Sequence, residues 1–119
     1  MTLDLPYPPT VNTYWLRNRN GSVRISNEGQ AFRLQVVAIC RKQRVKPLAG
    51  RLAVVITLFP PDRRRRDLDN VLKAALDALQ HGGCYADDSQ IDHLAILRSH
   101  IERNGKMRVI IQEIVEDED

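Results

Sequence analysis

The sequence predicts a small α+β domain in which a mixed β-sheet is packed by two helices. Three observations carry that prediction. Residues 51–59 are rich in β-branched side chains (Val54, Val55, Ile56, Thr57), the composition of a strand. Two stretches, up to about Gln43 and from about Asp67 to Leu79, repeat apolar residues at helical spacing. Two strand-like segments, 91–101 and 106–115, flank Asn104-Gly105 near the end of the chain. A chain of 119 residues has room for one core, so 1–115 is expected to be one domain and 116–119 an acidic tail.

Composition narrows the function classes. With 43% hydrophobic and 28% charged residues the chain is globular rather than disordered. No apolar run approaches the roughly 18 residues of a membrane span, and Met1-Thr2-Leu3-Asp4 lacks the basic and apolar regions of a signal peptide. No membrane partner and a cytoplasmic setting are therefore expected. Cys40 and Cys84 are too few and too isolated for a disulfide framework, and His81, His93 and His100 show no zinc-ligand spacing. Formal net charge is +3, but Glu116-Asp117-Glu118-Asp119 contribute −4, leaving +7 on the body. A basic body suits a nucleic-acid binder, while the tail reads as a solubilising end.

Taken in order, residues 3–7 read as a short edge strand that runs into Pro6, Pro8 and Pro9, since proline lacks the ladder donor. Residues 10–15 are expected to be extended, with Tyr14 and Trp15 on opposite faces and one of them in the core. Asn20-Gly21 signals a hairpin with a returning strand at 22–25. Arg17, Arg19 and Arg24 on that hairpin are candidates for phosphate contact, and a solvated basic loop accounts for them equally well.

Ser26 or Asn27 begins the first helix, Asn27 with Gln30 fitting a capping box. Phe32, Val36 and Ile39 give it a core-facing stripe, and no site is read into it. Pro47 and Gly50 then break the chain ahead of 51–59, whose two apolar faces suggest a central strand covered on both sides. In the second helix Leu68, Val71, Leu72, Ala75, Leu76 and Leu79 form a continuous buried stripe. Asp69, Asn70, Lys73 and Asp77 fall on its opposite face, with Lys73 one turn after Asp69. Gly82-Gly83 ends the helix, 84–90 is a link with two more carboxylates, and Asn104-Gly105 is read as a tight hairpin turn joining the last two strands.

The chemistry concentrates in 62–73, Asp-Arg-Arg-Arg-Arg-Asp-Leu-Asp-Asn-Val-Leu-Lys. Arg63, Arg64, Arg65 and Arg66 are suited to gripping a phosphate backbone. Asp67 and Asp69, with one of Asp87 or Asp88, are suited to holding a hard divalent cation, because converging carboxylates repel unless a metal neutralises them. Acids that hold a cation beside bases that hold phosphate are what metal-assisted phosphodiester cleavage needs. Each residue also has a plain structural use. Asp67 can cap the helix, Asp69 can favour its first turn, Lys73 can pair with Asp69 and Asp77, and Asp87-Asp88 can be an ordinary turn. None of these uses explains four arginines set beside the acids.

These residues carry a resemblance. The run from Asp62 to Asn70, followed by Lys73 and Asp77, resembles the RusA family of Holliday junction resolvases. So does Pro6-Tyr7-Pro8-Pro9-Thr10-Val11-Asn12-Thr13-Tyr14, with Thr10 in place of the family's usual serine, and Asp87-Asp88-Ser89-Gln90 is similar to the family's D-D-x-Q segment. The resemblance implies a small α+β homodimer that cuts four-way junction DNA with magnesium or manganese, often prophage-derived. It also implies Asp67, Asp69 and Asp88 as metal-binding acids and Lys73 as an essential lysine, with Arg63–Arg66, Asn70, Arg17 and Arg19 toward the DNA. Two other readings stand beside it: a non-catalytic basic nucleic-acid-binding module, and a flap or structure-independent nuclease.

Overall fold

The β-branched run forms the centre of the sheet. In a computed structural model describing residues 1–115, the strands in chain order are β1 (Thr2–Leu5), β2 (Trp15–Arg17), β3 (Val23–Ile25), β4 (Leu52–Phe59), β5 (Ile91–Arg98) and β6 (Lys106–Glu113). The helices are α1 (Val11–Tyr14), α2 (Asn27–Lys42) and α3 (Leu72–His81), with 3-10 turns at Leu68–Val71 and Asp88–Gln90. The expected α+β class and mixed sheet are both present. The acidic tail lies outside the described residues.

The sheet order is β1-β6-β4-β5, so β4 is internal and β1 is an edge strand that ends just before Pro6. The expected hairpin across Asn104-Gly105 is not formed. β5 runs parallel to β4, while β6 pairs antiparallel to β4 on its other side. Parallel neighbours need a crossover, and α3 supplies it. Residues 99–105 then pass over the end of β4, where Ser99 N–H donates to Leu58 O at 2.8 Å and Glu102 N–H to Pro60 O at 3.0 Å. Asn104 and Gly105 take φ of 70° and 72° in that crossing.

β4 is also not covered equally on both faces. Leu52, Val54, Ile56 and Leu58 are buried under α2 and α3, whereas Ala53, Val55 and Thr57 are half-buried on a face that leaves Leu97 and Ile110 exposed.

Residues 10–15 are not extended. Thr10 caps a helical turn, its Oγ1 accepting from Thr13 N–H at 3.3 Å, and the turn drives Tyr14 into the core. Trp15 opens β2 and stands edge-on to the Tyr14 ring, 5.0 Å between centroids. The β2–β3 hairpin forms as expected, with Gly21 at φ +87°. Ser26, not Asn27, caps α2, accepting from Gly29 N–H at 2.9 Å, so the Asn27–Gln30 box is not used. α2 buries Phe32, Val36 and Cys40.

The second helix starts as a 3-10 turn before becoming α-helical at Leu72. That tighter winding shifts the phase of its buried face. Val71, Ala74, Ala75, Ala78 and Leu79 lie innermost, and Leu68, Leu72 and Leu76 are only partly buried.

Candidate active site

The arginine loop leaves the C-terminal end of β4 after two prolines and is organised by Asp62. Its carboxylate takes Arg64 N–H at 2.9 Å and Arg66 Nη1 at 2.7 Å. The Arg66 side chain, then the Arg64 N–H, hold the Asp62 carboxyl down to about 2. Arg66 also donates to the carbonyls of Asp62 and Arg64, at 3.3 Å each, and lies 5.8 Å from the Tyr7 ring centroid. Arg98 Nη2 donates in turn to Arg66 O. The four arginines are therefore not equivalent. Arg66 staples the loop. Arg64 lies 3.8 Å from Asp62 but is largely exposed, and Arg63 and Arg65 are exposed without ion-pair partners among the described residues. All four, with Arg98, line a groove of about 440 Å³.

The acids divide along a similar line. Asp4, Asp77 and Asp92 are each paired with an arginine, Asp62 with two, and Asp87 caps the 3-10 turn at Asp88–Gln90 by accepting from Ser89 N–H at 2.8 Å. Asp67, at the N-terminus of the other 3-10 turn, makes no side-chain capping bond. Asp67, Asp69 and Asp88 form no ion pair among the described residues and are exposed. The three acids singled out from sequence are thus exposed and without a basic partner, a condition shared among the described residues by Glu28, Glu113 and Asp87, and Asp87 is the structural member of its pair.

The structure does not gather these three into one cluster: among the described residues no group of three or more His, Cys, Asp or Glu side chains is placed to hold a metal ion. The reason is the helix between them. Asp67 and Asp69 stand at the start of the 3-10 turn, while the Asp88 backbone is tied to Gln80 Oε1 at 3.1 Å. Leu72 to Gln80 alone is roughly 12 Å of helix. Asp67 and Asn70 line one groove of about 470 Å³ with Thr10, Glu28 and Arg65. Asp88 lines a second groove, of about 590 Å³, with Lys73, Asp77, Asn12 and Arg17. The α1 turn forms the wall between them, since Thr10 and Thr13 border the first groove and Val11 and Asn12 the second. Arg19 lies exposed in the β2–β3 turn, outside both.

Donor chemistry suits magnesium or manganese: exposed carboxylate oxygens with no competing cation. The convergence of three carboxylates expected from sequence is not found among the described residues.

Sequence reasoning missed two positioning groups. Gln90 Oε1 accepts from Ala86 and Asp87 N–H, both at 3.0 Å, and its Nε2 donates to Leu48 O at 3.1 Å and Gly50 O at 3.0 Å. It wires the Asp88 turn to the strand-entry loop. The second is Arg33, on the helix in which no site was read. Its Nη2 reaches Asp77 Oδ2 at 2.8 Å and its Nε the Tyr14 hydroxyl at 3.3 Å. The D-D-x-Q spacing offered a signal for Gln90, whereas nothing local marks Arg33.

A basic loop at a strand end, unpaired acids and a lysine on a buried helix define a protein built to act on a phosphodiester backbone. The model of the family described as Endodeoxyribonuclease RusA matches residues 6–112. The crossover junction endodeoxyribonuclease of Enterobacteria phage HK97 is 40% identical over 111 residues, covering 92% of each chain. Those of Shigella sonnei (strain Ss046) and Escherichia coli (strain K12) are 39% and 38% identical over 114 residues, 95% of this chain and 94% of theirs. The chain belongs to the RusA family.

Proposed function

We propose that this chain is a magnesium- or manganese-dependent endodeoxyribonuclease that resolves four-way DNA junctions by paired symmetric nicks in recombination and repair. The observation that carries the reading is the set of uncompensated groups along α3 and its two flanking turns: Asp67 and Asp69 beside the arginine loop, then Lys73, then Asp88 at the far end, all exposed and without ion pairs among the described residues. The relatives' name, crossover junction endodeoxyribonuclease, supports the substrate.

Arg63 and Arg65, with Arg64, grip phosphates near the crossover, reading backbone and junction shape rather than base edges. Asn70, beside Asp67, and Arg17, beside Lys73, orient the strand in the two grooves. Arg19 adds a more distant phosphate contact. Lys73 stabilises charge on the scissile phosphate as a compact point charge. Asp67, Asp69 and Asp88 would hold the cation, which supplies Lewis acidity and an activated water when bound. Magnesium usually takes one or two carboxylates and completes its shell with waters and substrate phosphate, so separation of the acids before DNA arrives is compatible with the role. Two strands must be cut symmetrically, which a C2 homodimer with two sites provides. No helix among the described residues is long and apolar enough to cross a membrane, and a cytoplasmic setting accompanies a DNA substrate.

The experiment is cleavage of a synthetic four-way junction, against linear and flap DNA, with and without manganese. The wild-type chain should cut the junction only with metal, and Asp67→Asn should bind it but not cut. Wild-type cutting by Asp67→Asn would remove the assignment. Binding without cleavage in either metal would favour the non-catalytic module.

A further inference from the structure

Lys73 stands one α-helical turn before Asp77, the spacing at which a lysine and an aspartate pair, yet it is exposed and forms no ion pair among the described residues. Asp77 is engaged elsewhere. Its Oδ2 accepts from the Tyr14 hydroxyl and from Arg33 Nη2 at 2.8 Å, and its Oδ1 faces His81 Nε2 at 3.8 Å. Tyr14 is fully buried, and Arg33 and Asp77 are only 21% and 25% exposed. Three elements, α1, α2 and α3, converge on this one carboxylate.

The location gives the contact a meaning beyond packing. Asp77 borders the same groove as Lys73 and Asp88. A free carboxylate there would do two unwanted things. It would draw the Lys73 ammonium to itself, and it would repel a DNA strand entering the groove. A partly buried guanidinium set against it cancels that charge without filling the groove, and the tyrosine hydroxyl fixes which oxygen is used.

We infer that Arg33 and Tyr14 are positioning residues that mask Asp77, so that Lys73 stays free to face the substrate phosphate. The inference rests on the reading of Lys73 given under the proposed function. Asp77 itself is dispensable provided it carries no free charge.

The test uses the full chain with single-turnover cleavage of a four-way junction, junction affinity without metal, and thermal melting. Lys73→Met should abolish cutting. Arg33→Met should cut roughly tenfold more slowly, as unmasking one charge near a surface implies. Asp77→Asn should cut within about twofold of wild type, because the amide keeps the shape and carries no charge. The decisive chain is Arg33→Met/Asp77→Asn, which should recover most of the rate lost by Arg33→Met. A merely structural role for Arg33 would move rate and melting temperature together, whereas masking slows Arg33→Met even at a temperature where it is fully folded. A double variant as slow as Arg33→Met, or Arg33→Met cutting at the wild-type rate, overturns the inference. Should Arg33→Met fail to fold, Asp77→Asn decides alone, and a tenfold loss there overturns it. Wild-type cutting by Lys73→Met would instead overturn the reading of the lysine, and the masking role with it.

Discussion

The backbone N–H of Asp88 donates to Gln80 Oε1 at 3.1 Å, tying the acid turn to the last part of α3. Gln90 braces the same turn from the other side with four bonds to main-chain groups. Gln90→Leu should therefore cost about 1–3 kcal/mol, since it strands backbone donors and acceptors. Cleavage should fall more than junction binding, because Asp88 loses its orientation and the arginine loop does not. Thermal melting and single-turnover assays check this. An equal loss of binding and cutting would contradict it.

Asp62 gives a pH signature. Its carboxyl is held near 2 by the Arg66 side chain first and the Arg64 N–H second. A depressed acid contributes order above its ordinary value of 3.8 and loses that contribution as pH falls toward 2. A carboxyl-carbon NMR titration should place Asp62 near the lower value, and Asp62→Asn should remove the ion pair to Arg66 at every pH. A midpoint at the ordinary value would show that the loop is not stapled.

The arginines should separate by salt dependence. Arg63→Ala and Arg65→Ala each remove one exposed phosphate contact, so the slope of log affinity against log salt should fall by about one. Arg66→Ala should act differently, because that side chain is 22% exposed and pairs with Asp62. Its effect should appear as a looser loop and weaker binding at all salt concentrations. Fluorescence anisotropy across a salt series distinguishes the two patterns.

Gly29 offers a test of packing around Tyr14. In the middle of an exposed helix, alanine would be favoured over glycine by roughly 1 kcal/mol. Here a Cβ would stand 2.7 Å from Tyr14 O and 2.9 Å from both the Tyr14 ring and Ile25. The clash outweighs the propensity, and Gly29→Ala should destabilise by about 1–3 kcal/mol. A raised melting temperature would refute this.

Periodicity, composition and turn signals made β4, both long helices and the β2–β3 hairpin legible, along with the placing of the arginine run on a loop at a strand end. They left Asp87 and Asp88 open as alternatives, and only the family resemblance pointed to Asp88; in the structure Asp87 is engaged in the capping bond to Ser89. What they could not supply was strand direction. Alternating residues in β5 and β6 look the same whether the two strands adjoin or flank a third, and only the crossover through α3 decides. The phase of α3 was misjudged because one 3-10 turn rotates everything after it. The α1 turn was hidden by its β-branched residues, whose preference the Thr10 cap overrides. Arg33 and Asp77, 44 positions apart, meet only once α2 and α3 pack together.

The parallel pairing of β4 with β5 hangs the guanidinium loop and the Asp88 turn from opposite ends of one strand-helix-strand unit. α3 then works as a ruler: its ten residues set how far the guanidinium loop stands from the Asp88 turn. Each turn of that helix accounts for about 5.4 Å of the spacing.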